Sequence, residues 1–159
     1  MKQRWLSLYV ENNVGVLAKI SGLFSGKQYN MESLTVGTTE DPTVSRVTIG
    51  LVGTDEVFEQ IKKQLNRSVD IIKVIDLTGM DTYMQEVMFI KVTDCTEQEK
   101  KEVFRMAQVF GMKLVDYDLK SILLQSVQPA AENDKIISHM RSFRHIEVVR
   151  GGNVAIDKL

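Results

Sequence analysis

Groups able to do covalent or acid–base chemistry are sparse in this chain. Its 159 residues hold two His and one Cys, too few for a His/Cys metal cluster or an internal disulfide. His139 falls in a helix-like stretch and His145 just beyond it. Neither has a Ser, Cys or carboxylate at a spacing that suggests a catalytic triad. Cys95 stands between a strand-like and a helix-like segment, where a helix dipole could lower a thiol pKa, but no base accompanies it and an inert cysteine is the expected reading. The acidic pairs Glu40/Asp41 and Asp55/Glu56 fall at turn and cap positions. There is no Walker A run and no G-x-G-x-x-G. Eight Met fall mostly at core-type spacings and read as filler. Catalytic residues and metal ligands are therefore expected to be absent.

One local pattern points to binding instead. The segment Glu11-Asn12-Asn13-Val14-Gly15-Val16-Leu17 joins a strand pattern to a helix pattern. Free N–H groups at a helix start suit a carboxylate, and Gly15 allows close backbone approach. Asn12 can donate and accept hydrogen bonds, which suits both ends of an amino acid. Asn30, at the start of the next strand pattern, offers a second amide. The same residues also read as a capped helix after a tight turn, and the pattern leaves both readings open.

The elements that would position these residues follow from periodicity. Residues 4–10 alternate, with Leu6, Leu8 and Val10 opposite Trp5, Ser7 and Tyr9, as a half-buried strand does. Val16, Ile20, Leu23 and Phe24 then repeat at helical spacing, with an end expected near residues 26–27. Strands are predicted over residues 31–38, 44–52 and 69–77. A second helix, capped by Thr54 or Asp55, carries Val57, Ile61 and Leu65. Residues 78–83 lose apolar periodicity and read as a linker. The order then repeats: a strand over 85–93, a helix behind the Thr96/Glu99 capping box, strands over 112–117 and 121–128, a helix over 131–143, and a short strand over 146–149 before Gly151-Gly152 opens a tail. The expected fold is α+β: two tandem ferredoxin-like βαββαβ domains, each an antiparallel sheet with its helices on one face. Their ranges are 1–78 and 84–159, joined by residues 79–83. Units of this size bury only about 60–65% of their chain surface, and bare sheet faces or edges predict pairing.

Composition narrows the partners. Twenty basic and twenty-one acidic residues leave a net charge of −1. They divide evenly, nine and nine over residues 1–80, eleven and twelve over 81–159. Without a basic block, nucleic acid and anionic membranes are not expected partners. The longest apolar run is Val87-Met88-Phe89-Ile90, far short of a membrane span. A cytoplasmic protein is expected.

The segments E-N-N-V-G-V-L-A-K-I-S-G-L-F-S (residues 11–25) and Y-N-M-E-S-L-T-V (29–36) closely resemble the ACT domain of acetolactate synthase (acetohydroxyacid synthase) small subunits. D-P-T-V-S-R-V-T-I (41–49) and K-K-Q-L-N-R-S-V-D-I-I-K-V-I-D-L (62–77) are similar to the same family. N-x-x-G-x-L alone marks ACT domains generally; with the other segments it is specific to this subunit. The second half matches more loosely, by layout and by E-V-M-F-I-K-V (86–92). The resemblance implies a non-catalytic regulatory subunit of branched-chain amino-acid biosynthesis. It would bind and activate the catalytic (large) subunit and confer feedback inhibition by a branched-chain amino acid, valine first. It implies no cofactor on this chain, with thiamine diphosphate, FAD and magnesium on the catalytic partner. It also implies a homodimer through the ACT domains, with the effector at their interface. Carried over, the loop amide is Asn12, the glycine Gly15 and the strand amide Asn30, flanked by Val14, Val16, Leu17 and Met31. Ala18 stands where some relatives have serine, which puts a side-chain contact there in doubt. An exposed hairpin over residues 38–44, with Glu40 and Asp41, and Arg46 beyond it, is the expected docking region for the catalytic subunit.

Two other readings fit the same composition. A ferredoxin-like enzyme would need an acid–base constellation that the pattern lacks, since fold alone does not set function. A stand-alone ACT-type amino-acid sensor would have no catalytic partner.

Overall fold

The computed structural model describes residues 1–25 and 29–159. The elements run β1 (Lys2–Glu11), α1 (Val16–Ser25), β2 (Asn30–Thr38), β3 (Val44–Gly53), α2 (Asp55–Asn66), β4 (Ile71–Asp76), β5 (Thr82–Thr93), α3 (Glu97–Val109), β6 (Lys113–Tyr117), β7 (Ile122–Gln128), α4 (Ala130–Met140) and β8 (His145–Asp157). Two four-stranded antiparallel sheets result, ordered β2-β3-β1-β4 and β6-β7-β5-β8, so the βαββαβ pattern occurs twice as expected. The expected end of α1 near residues 26–27 lies outside the described residues.

In the first unit, alternation decides which side is buried. Leu6, Leu8 and Val10 on β1 meet Val47, Ile49 and Leu51 on β3, all nearly fully buried with Val16, Ile20 and Phe24 of α1. Helix α2 adds Phe58, Ile61 and Leu65; Phe58 takes the deep position expected for Val57, which is only partly buried. Thr54 caps α2, its side chain accepting from the Val57 N–H.

The opposite face of this sheet is less bare than the sequence suggests. Ser7 and Thr48, directly paired between β1 and β3, are both buried. Ser7 Oγ accepts from Arg46 Nε at 2.8 Å, and the C-terminal residues bond to β2 and Asp81. Thr35 Oγ1 donates to Asn153 O at 2.7 Å, the Asn153 N–H donates to Ser33 Oγ at 3.0 Å, and the Lys158 N–H to Asp81 O at 3.0 Å. By compactness the chain divides into residues 1–83 with 153–159, and residues 84–152. The expected second-domain range, 84–159, differs from this at its C-terminal end. Gly151-Gly152 does not end the last strand. Gly152 takes a left-handed φ of +80°, which glycine adopts without a Cβ penalty, and β8 continues to Asp157.

The second unit buries Met88, Ile90 and Val92 of β5 with Ile122 and Leu124 of β7, Val103 and Ala107 of α3, and Ile136 and Met140 of α4. The Thr96/Glu99 capping box forms in full. Gly111 follows the helix with φ +65°, the left-handed turn that ends many helices. A polar knot crosses this core: the Glu86 carboxylate, 5% exposed, accepts from Arg150 Nε at 2.8 Å and Asn133 Nδ2 at 3.0 Å, and Asn133 Oδ1 accepts from Ser126 Oγ at 2.7 Å. No helix among the described residues is long and apolar enough to cross a membrane.

Candidate functional site

The loop between β1 and α1 is tied to the β2–β3 turn. The Asn12 N–H donates to Thr43 O at 2.8 Å and Asn12 Nδ2 to Pro42 O at 3.1 Å. Asn13 Nδ2 donates to the Glu11 carboxylate at 2.9 Å. So the expected side-chain cap is replaced among the described residues by the Asn13 carbonyl, which accepts from the Val16 N–H at 3.4 Å. Gly15 sits at φ +87°, and a Cβ built there would meet nothing within 4 Å. Val14 is fully exposed and Leu17 is 44% exposed, so this corner presents apolar surface beside helix-start N–H groups that no intrahelical partner satisfies. Val16 belongs elsewhere: it is buried in the core beneath the loop.

Asn30 is exposed at the first residue of β2, paired with Val52, and Met31 packs half-buried against the core. The register separates it from Asn12. Val52 pairs with Gln3 of β1, whereas Asn12 follows the Glu11–Val44 pair. At about 3.3 Å per residue, Gln3 and Asn12 lie roughly 30 Å apart along the strand. One chain thus holds its two candidate amides at opposite ends of one sheet. β2 is an edge strand.

The turn after β2 braces itself. Asp41 Oδ1 accepts from the Thr43 hydroxyl at 2.7 Å and the Thr43 N–H at 2.9 Å; the hydroxyl first, then the N–H, hold its pKa below the ordinary carboxylate range. Thr39 Oγ1 lies 3.0 Å from both Asp41 O and Val44 O. Glu40 is exposed. Arg46 does not project with them: it lies back on the sheet, Nε donating to Ser7 Oγ at 2.8 Å and Cζ 5.1 Å from the Tyr9 ring centre. The Tyr9–Arg46 pairing follows from the β1–β3 register, which sequence periodicity does not supply.

The remaining reactive groups stay apart. Cys95 is buried, and burial first, then the Glu99 carboxylate, push its thiol pKa up. The shift runs opposite to the one a helix dipole alone would give. His139 Nδ1 lies 2.7 Å from Lys135 O, with its ring beside Phe110. His145 Nε2 is 3.9 Å from the Asp94 carboxylate, both exposed. Among the described residues no cluster of three or more His, Cys, Asp or Glu is placed to hold a metal ion.

Comparison with known proteins bears on the same residues. Residues 6–73 match the family model described as the AHAS small subunit-like ACT domain, and residues 85–159 the one described as the small subunit of acetolactate synthase. The chain is 36% identical to the acetolactate synthase small subunit of Haemophilus influenzae and 38% identical to the acetolactate synthase isozyme 3 small subunit of Salmonella typhimurium. Each alignment covers 98% of this chain and 96% of the relative. The crystal structure of the acetolactate synthase small subunit from Thermotoga maritima superposes with a TM-score of 0.88 at 27% identity, over 100% of this chain and 99% of that one.

Proposed function

The chain belongs to the acetolactate synthase small-subunit family, and from that premise we propose that it binds the catalytic subunit, raises its activity, and makes that activity sensitive to a branched-chain amino acid, valine first. The chemistry, with thiamine diphosphate, FAD and magnesium, belongs to the catalytic partner. The effector sits between two copies of this chain, its carboxylate on the N–H groups around Gly15 and its polar ends shared between Asn12 of one copy and Asn30 of the other. Val14, Leu17 and Met31 flank its aliphatic side chain, and Val16 supports the loop from below.

One observation carries this reading: Asn12 and Asn30 lie at opposite ends of one sheet, with Asn30 on an edge strand. Antiparallel pairing of two β2 edges places the Asn30 end of one strand beside the Thr38 end of its mate. That end carries the β2–β3 turn, to which the Asn12 loop is hydrogen-bonded. A dimer of this kind supplies both amides to each of two sites, and an effector bound across it favours one dimer arrangement over another. The turn, with exposed Glu40 and Asp41 and with Arg46 behind it, is the proposed docking region for the catalytic subunit.

Reconstitution with the catalytic subunit tests the proposal. Acetolactate formation rises on adding this chain and falls again with valine, and Asn30→Ala weakens valine binding by about 1–3 kcal/mol, the cost of a lost hydrogen bond to a charged group. Equal affinity in that variant removes Asn30 from the site. Pyruvate turnover by the isolated chain overturns the regulatory reading.

A further inference from the structure

We propose that a cavity under the β2–β3 turn is a second ligand site, for a small molecule with a single carboxylate, and that Arg46 anchors it. The cavity encloses about 300 Å³ and is bounded by Tyr9, Thr38, Glu40, Arg46 and Ala155 among others. It lies on the sheet face opposite α1 and α2: Tyr9 and Arg46 alternate with the core residues Leu8, Val10 and Val47. The Gly15 loop and Asn30 do not line it.

Arg46 is the reason to expect an anion there. Its guanidinium is fixed on two sides, Nε by Ser7 Oγ and the plane by the Tyr9 ring. The Nη1–Nη2 edge has no protein acceptor among the described residues, and Nη2 is buried with no partner. Arg4, Arg105 and Arg150 each pair with a carboxylate; among the described residues none lies within ion-pair distance of Arg46, and unlike the exposed Arg67, Arg141 and Arg144, which also lack one, Arg46 has a buried nitrogen. A buried guanidinium N–H left without a partner is costly, and the loss is recovered when an acceptor arrives. A carboxylate oxygen that reaches Nη2 satisfies this donor, and its charge makes the hydrogen bond to Arg46 a strong one.

Size and charge set the ligand class. A volume of this order is the low end for small-molecule sites and holds roughly ten waters at about 30 Å³ each, enough for an amino acid but not for a nucleotide. Glu40 on the rim opposes a second negative charge and offers a partner to an ammonium. A monocarboxylate therefore fits, either a zwitterionic amino acid or an uncharged-tail acid such as a 2-oxo acid. The C-terminal strand closes the far side with Ala155, held by the Thr35–Asn153 hydrogen bond.

The test is a titration of the wild-type full chain, followed by the ¹⁵N resonance of the Arg46 Nε–H group. Arg105, exposed and paired with Glu102, is the internal reference. Isobutyrate, L-valine and the dianion malonate are added in turn. Arg46 shifts saturably with isobutyrate, with valine or with both, while Arg105 does not follow and malonate binds more weakly. Arg46→Gln lowers the affinity about tenfold or more, as expected for a hydrogen bond to a charged group. A response to valine alone assigns the amino-acid source, and a response to isobutyrate assigns the plain carboxylate. No saturable shift at Arg46 with either compound, or one matched at Arg105, overturns the proposal. The Asn30 side-chain amide in the same spectra reports the interface site separately, so either site can fail without the other.

Discussion

Gly15 allows stability and effector binding to be pulled apart by two substitutions at one position. Its φ of +87° is left-handed, and a Cβ there meets nothing within 4 Å, so the penalty for a side chain is backbone strain rather than collision. For alanine that strain is about 1–2 kcal/mol. Aspartate tolerates the left-handed region better, so Gly15→Asp is the more stable of the two variants. At about 4–8 °C per kcal/mol for a domain of this size, calorimetric melting separates them. Valine affinity runs the other way. A carboxylate at residue 15 about 4 Å from the effector's own carboxylate repels it by about 4 kcal/mol at an effective dielectric of 20. Solvent screening at an open loop halves this to about 2 kcal/mol. The loss for Gly15→Asp is then between about thirtyfold and a thousandfold, whereas Gly15→Ala stays within a few-fold of wild type. Stimulation of the catalytic subunit survives in both. Isothermal titration with valine reads the ranking, and wild-type affinity in Gly15→Asp refutes the placement of the effector at this loop.

Other positions test the packing that holds the site. Gly50→Ala drives a Cβ to 2.5 Å from Trp5 Cζ3, an overpacking cost of about 1–3 kcal/mol visible in urea melts, and the fluorescence of the single Trp moves with it. Gly37→Ala, with open space at its Cβ, stays near neutral, and equal effects at the two glycines contradict the packing. Glu86→Ala removes the buried partner of Arg150 and Asn133. Arg150 keeps Asp134, so the loss falls at the lower end for a broken buried pair, about 3 kcal/mol, read by thermal denaturation. Asp41 has a native pKa below its unfolded one. Its contribution is present above about pH 4 and is lost as pH falls through the lowered native value. Asp41→Asn therefore loses less stability than wild type between about pH 5 and pH 2, and parallel melting curves over that range contradict the turn's role.

The alternation of Leu6, Leu8 and Val10 and the helical repeats of Val16, Ile20 and Phe24 were legible in the sequence because each element buries one side, and period reports burial directly. Residues 153–157 were not. Gly151-Gly152 reads as a stop, and nothing local to Asn153 or Ala155 reveals that both are buried against a sheet begun at residue 2. The site followed the same division. Asn12, Gly15 and Asn30 stand out by type and by motif, but their placement at opposite sheet ends depends on strand register. Register is a property of the pairing, as is the Tyr9–Arg46 contact. At Cys95 a cap position suggests a dipole, and the burial and the nearby Glu99 that act in the other direction are not visible in the sequence pattern.

The central claim is that each effector site takes Gly15 from one chain and Asn30 from another. A purified heterodimer of a Gly15→Asp chain with an Asn30→Ala chain tests it most directly. Shared sites put both lesions into one pocket and leave the other intact, so titration calorimetry finds one valine per dimer bound with wild-type affinity. If each chain forms its own site, both pockets are defective, and a heterodimer with no wild-type-affinity site contradicts the account.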